Sequence, residues 1–254
     1  MCRLVMALGK FSIEKLVDAA IGMSEGRLSD HDGPLLKHIN GWGAVWRDRN
    51  SPTGISVYRN VGQIDLNVAK EVLQNVDTDF LAIHIRHATV SKNVGINFVH
   101  PLNSSSHQIQ WYMMHNGYLP TIHEKLNMNE SVFDTQEYYD YILPKNLDFL
   151  NGSEIISKLN HLKVGGTSAN AIIVNPSKIY VIHWSMPDIS SPKYFTLNTT
   201  YDDRALYISS EMRPEITKIE NWKPLIHSKV HEFLLPQKAM DKDFLLKCYR
   251  GLYE

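Results

Sequence analysis

A cysteine stands second in this chain, directly after the initiator methionine, and the apolar run Arg3 to Leu8 follows it without a break. Nothing else in the sequence constrains the fold as much. The run is short and uninterrupted, which predicts a buried strand that starts at the N-terminus itself. An initiator Met before a small residue is usually removed, so the mature chain is expected to begin at Cys2. A terminal Cys carries a thiol and a free amine on adjacent atoms, with ordinary pKa values of about 8.5 and about 8. Such an amine can take the thiol proton directly or through one water, and nucleophile and general base then belong to one residue. The competing reading is a small apolar residue opening a strand, because free Cys is so often simply buried.

The rest of the composition narrows the class. A length of 254 residues allows one large domain or at most two small ones. Hydrophobic residues at 43% and charged residues at 21% are ordinary for a folded chain. Lys and Arg number 26 against 27 Asp and Glu, so the formal charge of −1 gives no reason to expect nucleic acid as partner. The two cysteines, Cys2 and Cys248, exclude a disulfide-stapled fold, and no CxxC pair offers a zinc site. Arg3, Lys10, Glu14, Lys15 and Asp18 break any apolar core of a signal peptide. No stretch reaches the ~20 apolar residues of a membrane helix. A cytoplasmic chain with reduced thiols, no membrane partner and no cofactor is the expectation.

Hydrophobic periodicity predicts strands at Arg3 to Leu8, Gly41 to Arg47, Ile55 to Arg59, Phe80 to Thr89, Ile109 to Met114, Ala171 to Val174, Ile179 to Trp184, Ala205 to Ser209 and Ile226 to Phe233. Helices are predicted at Phe11 to Ala20, Val68 to Val76, Asp134 to Leu143, Glu154 to Leu162 and Asp241 to Leu252, and Ser24 to Pro34 reads as a loop. The strands come in antiparallel-style clusters with helices between the clusters. That fits two packed sheets flanked by helices better than a regular βαβ alternation.

Three further clusters could carry chemistry. Arg86-His87-Ala88-Thr89 closes a predicted strand, where an Arg can grip a carboxylate with two parallel hydrogen bonds; alone, a surface Arg is the simpler reading. His115-Asn116-Gly117 contains the tight-turn pair Asn-Gly, so a hairpin competes with an oxyanion hole built from the Asn116 amide and the Gly117 N–H. Asp134 opens a helix with Glu137 three residues on, which reads either as a capping box or as a carboxylate for a substrate ammonium.

Taken together and in order, these motifs resemble the class II glutamine amidotransferases, whose glutaminase domain is an N-terminal nucleophile hydrolase. The resemblance rests on Cys2 after the initiator Met, Arg86-His87-Ala88-Thr89, Asn97-Phe98-Val99-His100-Pro101, His115-Asn116-Gly117 and Asp134-Thr135-Gln136, with Gly41-Trp42-Gly43 as the early glycine-rich strand. Two positions depart from the pattern: Val90 stands where the family often has His, and Gln136 where it has Glu. The motifs fall within residues 2–135. Ser210-Glu211 and Trp222 are compatible with the rest of one domain over 1–254.

The resemblance implies an α+β fold, an αββα sandwich of two antiparallel sheets between helical layers. It implies Cys2 as nucleophile with its own amine as base, and Asn116 and Gly117 as the oxyanion hole. Arg86 would hold the α-carboxylate and Asp134 the α-amine, with Thr89 lining that pocket. It also implies a stand-alone amidohydrolase that converts glutamine to glutamate and ammonia, because 254 residues leave no room for a synthase domain and no phosphate-binding GxxxxGK[ST] or GxGxxG motif occurs. Other readings in the same frame are a γ-glutamyl peptide or conjugate hydrolase, an ammonia supplier to a separate synthetase subunit, and a catalytically silent binding subunit. A metal hydrolase built on the 12 histidines is weaker, because His84 and His87 lie three apart on a strand and face opposite ways. A serine hydrolase at Ser168 lacks the second Gly of a GxSxG elbow.

Overall fold

The strand that opens the chain is apolar on both faces because it lies inside the molecule. β1 (Arg3–Gly9) is buried along its whole length. Leu4, Met6 and Leu8 join one apolar cluster, while Val5 and Ala7 join another on the opposite side. The computed structural model describes residues 2–27, 31–33, 37–89, 93–103, 109–236 and 240–254.

After β1 the chain forms α1 (Ile13–Glu25), β2 (Trp42–Arg47), β3 (Ile55–Asn60), α2 (Leu66–Leu73) and β4 (Phe80–Ile85). It continues through β5 (Tyr112–Asn116), α3 (Ile122–Lys125), α4 (Asp134–Ile142), α5 (Gly152–Asn160), β6 (Asn170–Val174) and β7 (Lys178–His183). The last elements are α6 (Pro192–Phe195), β8 (Asn198–Tyr201), β9 (Ala205–Ser209), β10 (Lys223–Pro224), β11 (Lys229–Leu234) and α7 (Lys242–Gly251). α1 shows why such segments start and stop where they do. The Ser12 side chain accepts from Lys15 N at 3.3 Å at one end, and Gly26 closes the other in the left-handed region at φ 71°.

Among the described residues the strands form two antiparallel sheets, of order β10-β8-β9-β1-β4-β2-β3 and β11-β7-β6-β5. The apolar layer between them holds Leu4, Met6, Phe80, Met114, Ile172, Val181 and Ile208, and α7 contributes Leu245 to it, with Leu252 just past its end. The outer face of the larger sheet is covered by α1 and α2, through residues such as Leu16, Ala20 and Leu73. The outer face of the smaller sheet is covered by α3, α4 and α5, through Ile122, Tyr138, Tyr139, Ile155 and Leu159. Each such Leu or Ile taken out of water is worth about 1.5–3 kcal/mol. The layers run helix, sheet, sheet, helix, as the resemblance implies.

Most predicted elements recur with shifted ends. The strand expected over Phe80 to Thr89 stops at Ile85, so Arg86 to Thr89 lie just past the sheet. The strand expected over Ile226 to Phe233 is Lys229–Leu234. α1 runs to Glu25, into the segment expected to be a loop, of which residues 28–30 and 34 lie outside the described residues, as does Val90. β8, β10, α3 and α6 have no counterpart in the periodicity. Each spans four residues or fewer, too short to show one.

Candidate active site

Strand register gathers the motifs. In the antiparallel pair of β1 and β4, Arg3 lies opposite Ile85, so Cys2 and Arg86 emerge together at one end of the sheet. β2 adds Trp42 opposite Ile85, and Arg86 N donates to Gly41 O at 2.8 Å. The smaller sheet meets this end through β5, whose last residue is Asn116. Gly43 lets the next wall of the site close in, because a Cβ there would come within 2.0 Å of the His100 carbonyl.

The result is a cavity of about 370 Å³ whose lining includes Cys2, Arg86, Thr89, Gly117 and Asp134. Asn116 sits behind it, fully buried. Cys2 N donates to Asn116 Oδ1 at 3.0 Å, a bond between the two sheets. That bond fixes the side-chain amide, and its Nδ2 is buried with no partner among the described residues. The Cys2 thiol lies 3.9 Å from the His87 carbonyl. The pair Asn116-Gly117 does not make a hairpin: β5 pairs with β6, more than fifty residues on, with Asn116 opposite Asn170.

The Arg86 guanidinium is almost fully buried, lies 5.8 Å and 6.0 Å from the Phe98 and Phe133 rings, and leaves Nη1 without a partner among the described residues. Burial lowers its pKa, with the Cys2 and Asp134 charges opposing that shift. Asp134 is not a helix cap. The N-cap of α4 is Phe133, with no side-chain bond, and Asp134 Oδ2 instead accepts from Leu119 N at 2.9 Å. Burial raises the Asp134 pKa, against the opposing effects of His115 and the Leu119 N–H. Glu137 does not complete a capping box either: it accepts from Ser131 N at 2.6 Å and His123 N at 3.1 Å. Gln136 bonds Asp140 at 3.3 Å on the exposed side of α4.

Other residues of the site were not legible from spacing. Arg3 is wholly buried, its Nε 2.7 Å from Glu211 Oε1 and its guanidinium 3.5 Å from the Tyr194 ring centre. Glu211 also meets Arg213 at 3.2 Å, so the strand end behind Cys2 is held by compensated charge. His84, the metal-ligand candidate, pairs with His100 at 2.7 Å rather than with His87. Its Nε2 also lies 3.1 Å from the His115 carbonyl, which makes that nitrogen the donor. Burial pushes His84 down to about 3, so the ring is neutral at ordinary pH. Among the described residues no group of three His, Cys, Asp or Glu could hold a metal ion, and no helix is long and apolar enough to cross a membrane. Cys248 lies in a separate cavity of about 320 Å³ between β11 and α7, and burial raises its thiol pKa.

The sequence profile of the class-II glutamine amidotransferases matches residues 1–149. No curated protein matches the chain. Among solved structures it is similar to glutamine phosphoribosylpyrophosphate amidotransferase from B. subtilis complexed with ADP and GMP, with a TM-score of 0.60 and 15% identity over 94% of this chain and 50% of that one. It is also similar to a structure described as the allosteric regulatory enzyme of purine biosynthesis, with a TM-score of 0.58 and 16% identity over 94% of this chain and 50% of that one. The chain thus spans about half the length of both.

Proposed function

The chain belongs to the class-II glutamine amidotransferases, and on that premise we propose that it is a stand-alone amidohydrolase that uses Cys2, once Met1 is removed, to hydrolyse glutamine to glutamate and ammonia. The observation that carries this reading is the bond of 3.0 Å from Cys2 N to Asn116 Oδ1, which leaves a buried Asn116 Nδ2, without a partner among the described residues, beside the thiol's cavity. One side-chain amide would thereby orient the general base and present a donor to the oxyanion. The unit proposed is one domain over 1–254, because each sheet takes strands from both sides of residue 149.

The α-carboxylate of glutamine meets the unpaired Arg86 Nη1, with Thr89 on the same cavity wall, and the α-ammonium meets Asp134. The Cys2 amine takes the thiol proton, and the thiolate sulfur bonds to the side-chain amide carbon. The carbonyl electron pair moves to oxygen, where Asn116 Nδ2–H and Gly117 N–H receive it. The amine's proton passes to the leaving nitrogen, the C–N bond breaks and ammonia departs. Water then gives a proton to the amine and attacks the thioester through the same oxyanion, and glutamate leaves with the thiol restored.

Cys2→Ala tests the nucleophile. The expected result is a folded protein that releases neither ammonia nor glutamate from glutamine, beside a wild type, verified by mass to begin at Cys2, that releases both in equal amounts. Turnover by the Ala variant at the wild-type rate would remove Cys2 from the mechanism.

A further inference from the structure

We infer that Ser168 is a positioning residue, which aims the Gly117 N–H into the cavity by holding the carbonyl on the other side of the same peptide unit. The inference rests on the oxyanion hole proposed above and adds what orients it. The Ser168 hydroxyl donates to the Asn116 carbonyl at 2.5 Å. In a trans peptide the C=O and the following N–H point in opposite directions. Anchoring the Asn116 carbonyl toward Ser168 therefore turns the Gly117 N–H away from it. Gly117 lines the cavity, and its N–H donates to no group among the described residues.

Ser168 is itself held on both sides. Its carbonyl accepts from His115 Nε2 at 3.0 Å, and the His115 Nδ1 faces Thr135 Oγ1 at 3.0 Å. The residue before it joins Tyr118 through two bonds, Thr167 N to Tyr118 O at 2.8 Å and Tyr118 N to Thr167 Oγ1 at 2.9 Å. The approach is so close that a Cβ at Gly117 would sit 1.7 Å from the Ser168 carbonyl oxygen. The buried hydroxyl, committed to a backbone carbonyl with His115 on its own main chain rather than on Oγ, is not arranged as a nucleophile.

Ser168→Ala separates this role from general support of the fold. Two rates are compared: turnover of glutamine, which needs the oxyanion hole, and alkylation of Cys2 by iodoacetamide, followed on the N-terminal peptide by mass. Alkylation forms an S–C bond, expels iodide and builds no oxyanion. The expected result is a kcat lowered by about tenfold or more, a KM little changed, and an unchanged alkylation rate. Equal losses in both rates, or no loss in kcat, would overturn the inference. If the Ala variant does not fold, Ser168→Cys, which keeps the volume and weakens the donor, is read by the same two rates and must show the same split. A wild type that alkylates at Cys2 but releases no ammonia from glutamine would instead sink the underlying reading and this inference with it.

Discussion

In the proposed mechanism Asn116 uses both ends of one amide, and that makes its substitution informative. Its Oδ1 receives Cys2 N at 3.0 Å while its Nδ2 has no partner among the described residues. Asn116→Asp keeps the acceptor and replaces the donor with a carboxylate oxygen that repels an oxyanion. Loss of one such donor costs ~10²–10³ in turnover. The expected variant melts near wild type and has lost at least that much kcat on both glutamine and a γ-glutamyl peptide; retained activity on both would reduce Asn116 to a structural residue. Asp134 gives the second residue-scale prediction. In its proposed role it holds an ammonium only when ionised, and burial raises its pKa. As pH falls, it takes up its proton sooner than an ordinary carboxylate, so the KM for glutamine should climb while the pH is still above the usual carboxylate range. Asp134→Asn should show a high KM with no such acid limb, and a wild-type KM that stays flat down to that range would refute the assignment.

At the scale of elements, the first turn of α4 works as a bracket. Asp134 receives Leu119 N, Thr135 Oγ1 meets His115 Nδ1, and Glu137 receives Ser131 N and His123 N. Sequence spacing suggested that Asp134 and Glu137 cap their own helix; tertiary contacts claim both carboxylates instead. Glu137→Ala leaves two backbone N–H groups without their acceptor. Such a loss costs about 1–3 kcal/mol, which for a chain of this size lowers the melting midpoint by about 2–4 °C per kcal/mol. The cavity wall at Ser131 and Asp134 loosens with it, so KM for glutamine should rise more than kcat falls. Calorimetry and steady-state kinetics check both; an unchanged midpoint would show that the bracket carries no stability.

Across the whole molecule, several histidines are buried where water cannot support their charge. Burial lowers His38 to about 2, His84 and His183 to about 3, and His231 to about 4. In the unfolded chain each returns to about 6.5. Below that value the unfolded state binds more protons than the folded one, so stability is lost as pH falls from about 6.5 toward the folded values. Each fully unmatched histidine contributes on the order of 1.4 kcal/mol per pH unit in that window. Urea unfolding midpoints measured between pH 7 and pH 5 should therefore fall steeply, and a pH-independent midpoint would contradict the buried neutral state.

Hydrophobic patterning along the chain already specifies the layers, and the ordered motifs specify the chemistry on offer. Continuous apolar runs such as Leu4 to Leu8 and Phe80 to Ile83 demand cover on both faces. The ordered motifs around Cys2, Arg86, Asn116 and Asp134 carry the family pattern because each residue type is fixed locally by its chemistry. Which groups meet depends on the folded chain. Arg3 finds Glu211 at a separation of 208 residues, and Ser168 finds Asn116 at 52. Such bonds depend on strand register and on how the two sheets stack, and neither leaves a periodicity in the chain. Asn116-Gly117 shows the division most directly: the pair favours a turn in isolation, and it opens onto the cavity because β5 pairs with β6 and the Ser168 carbonyl fills the space a side chain at Gly117 would need.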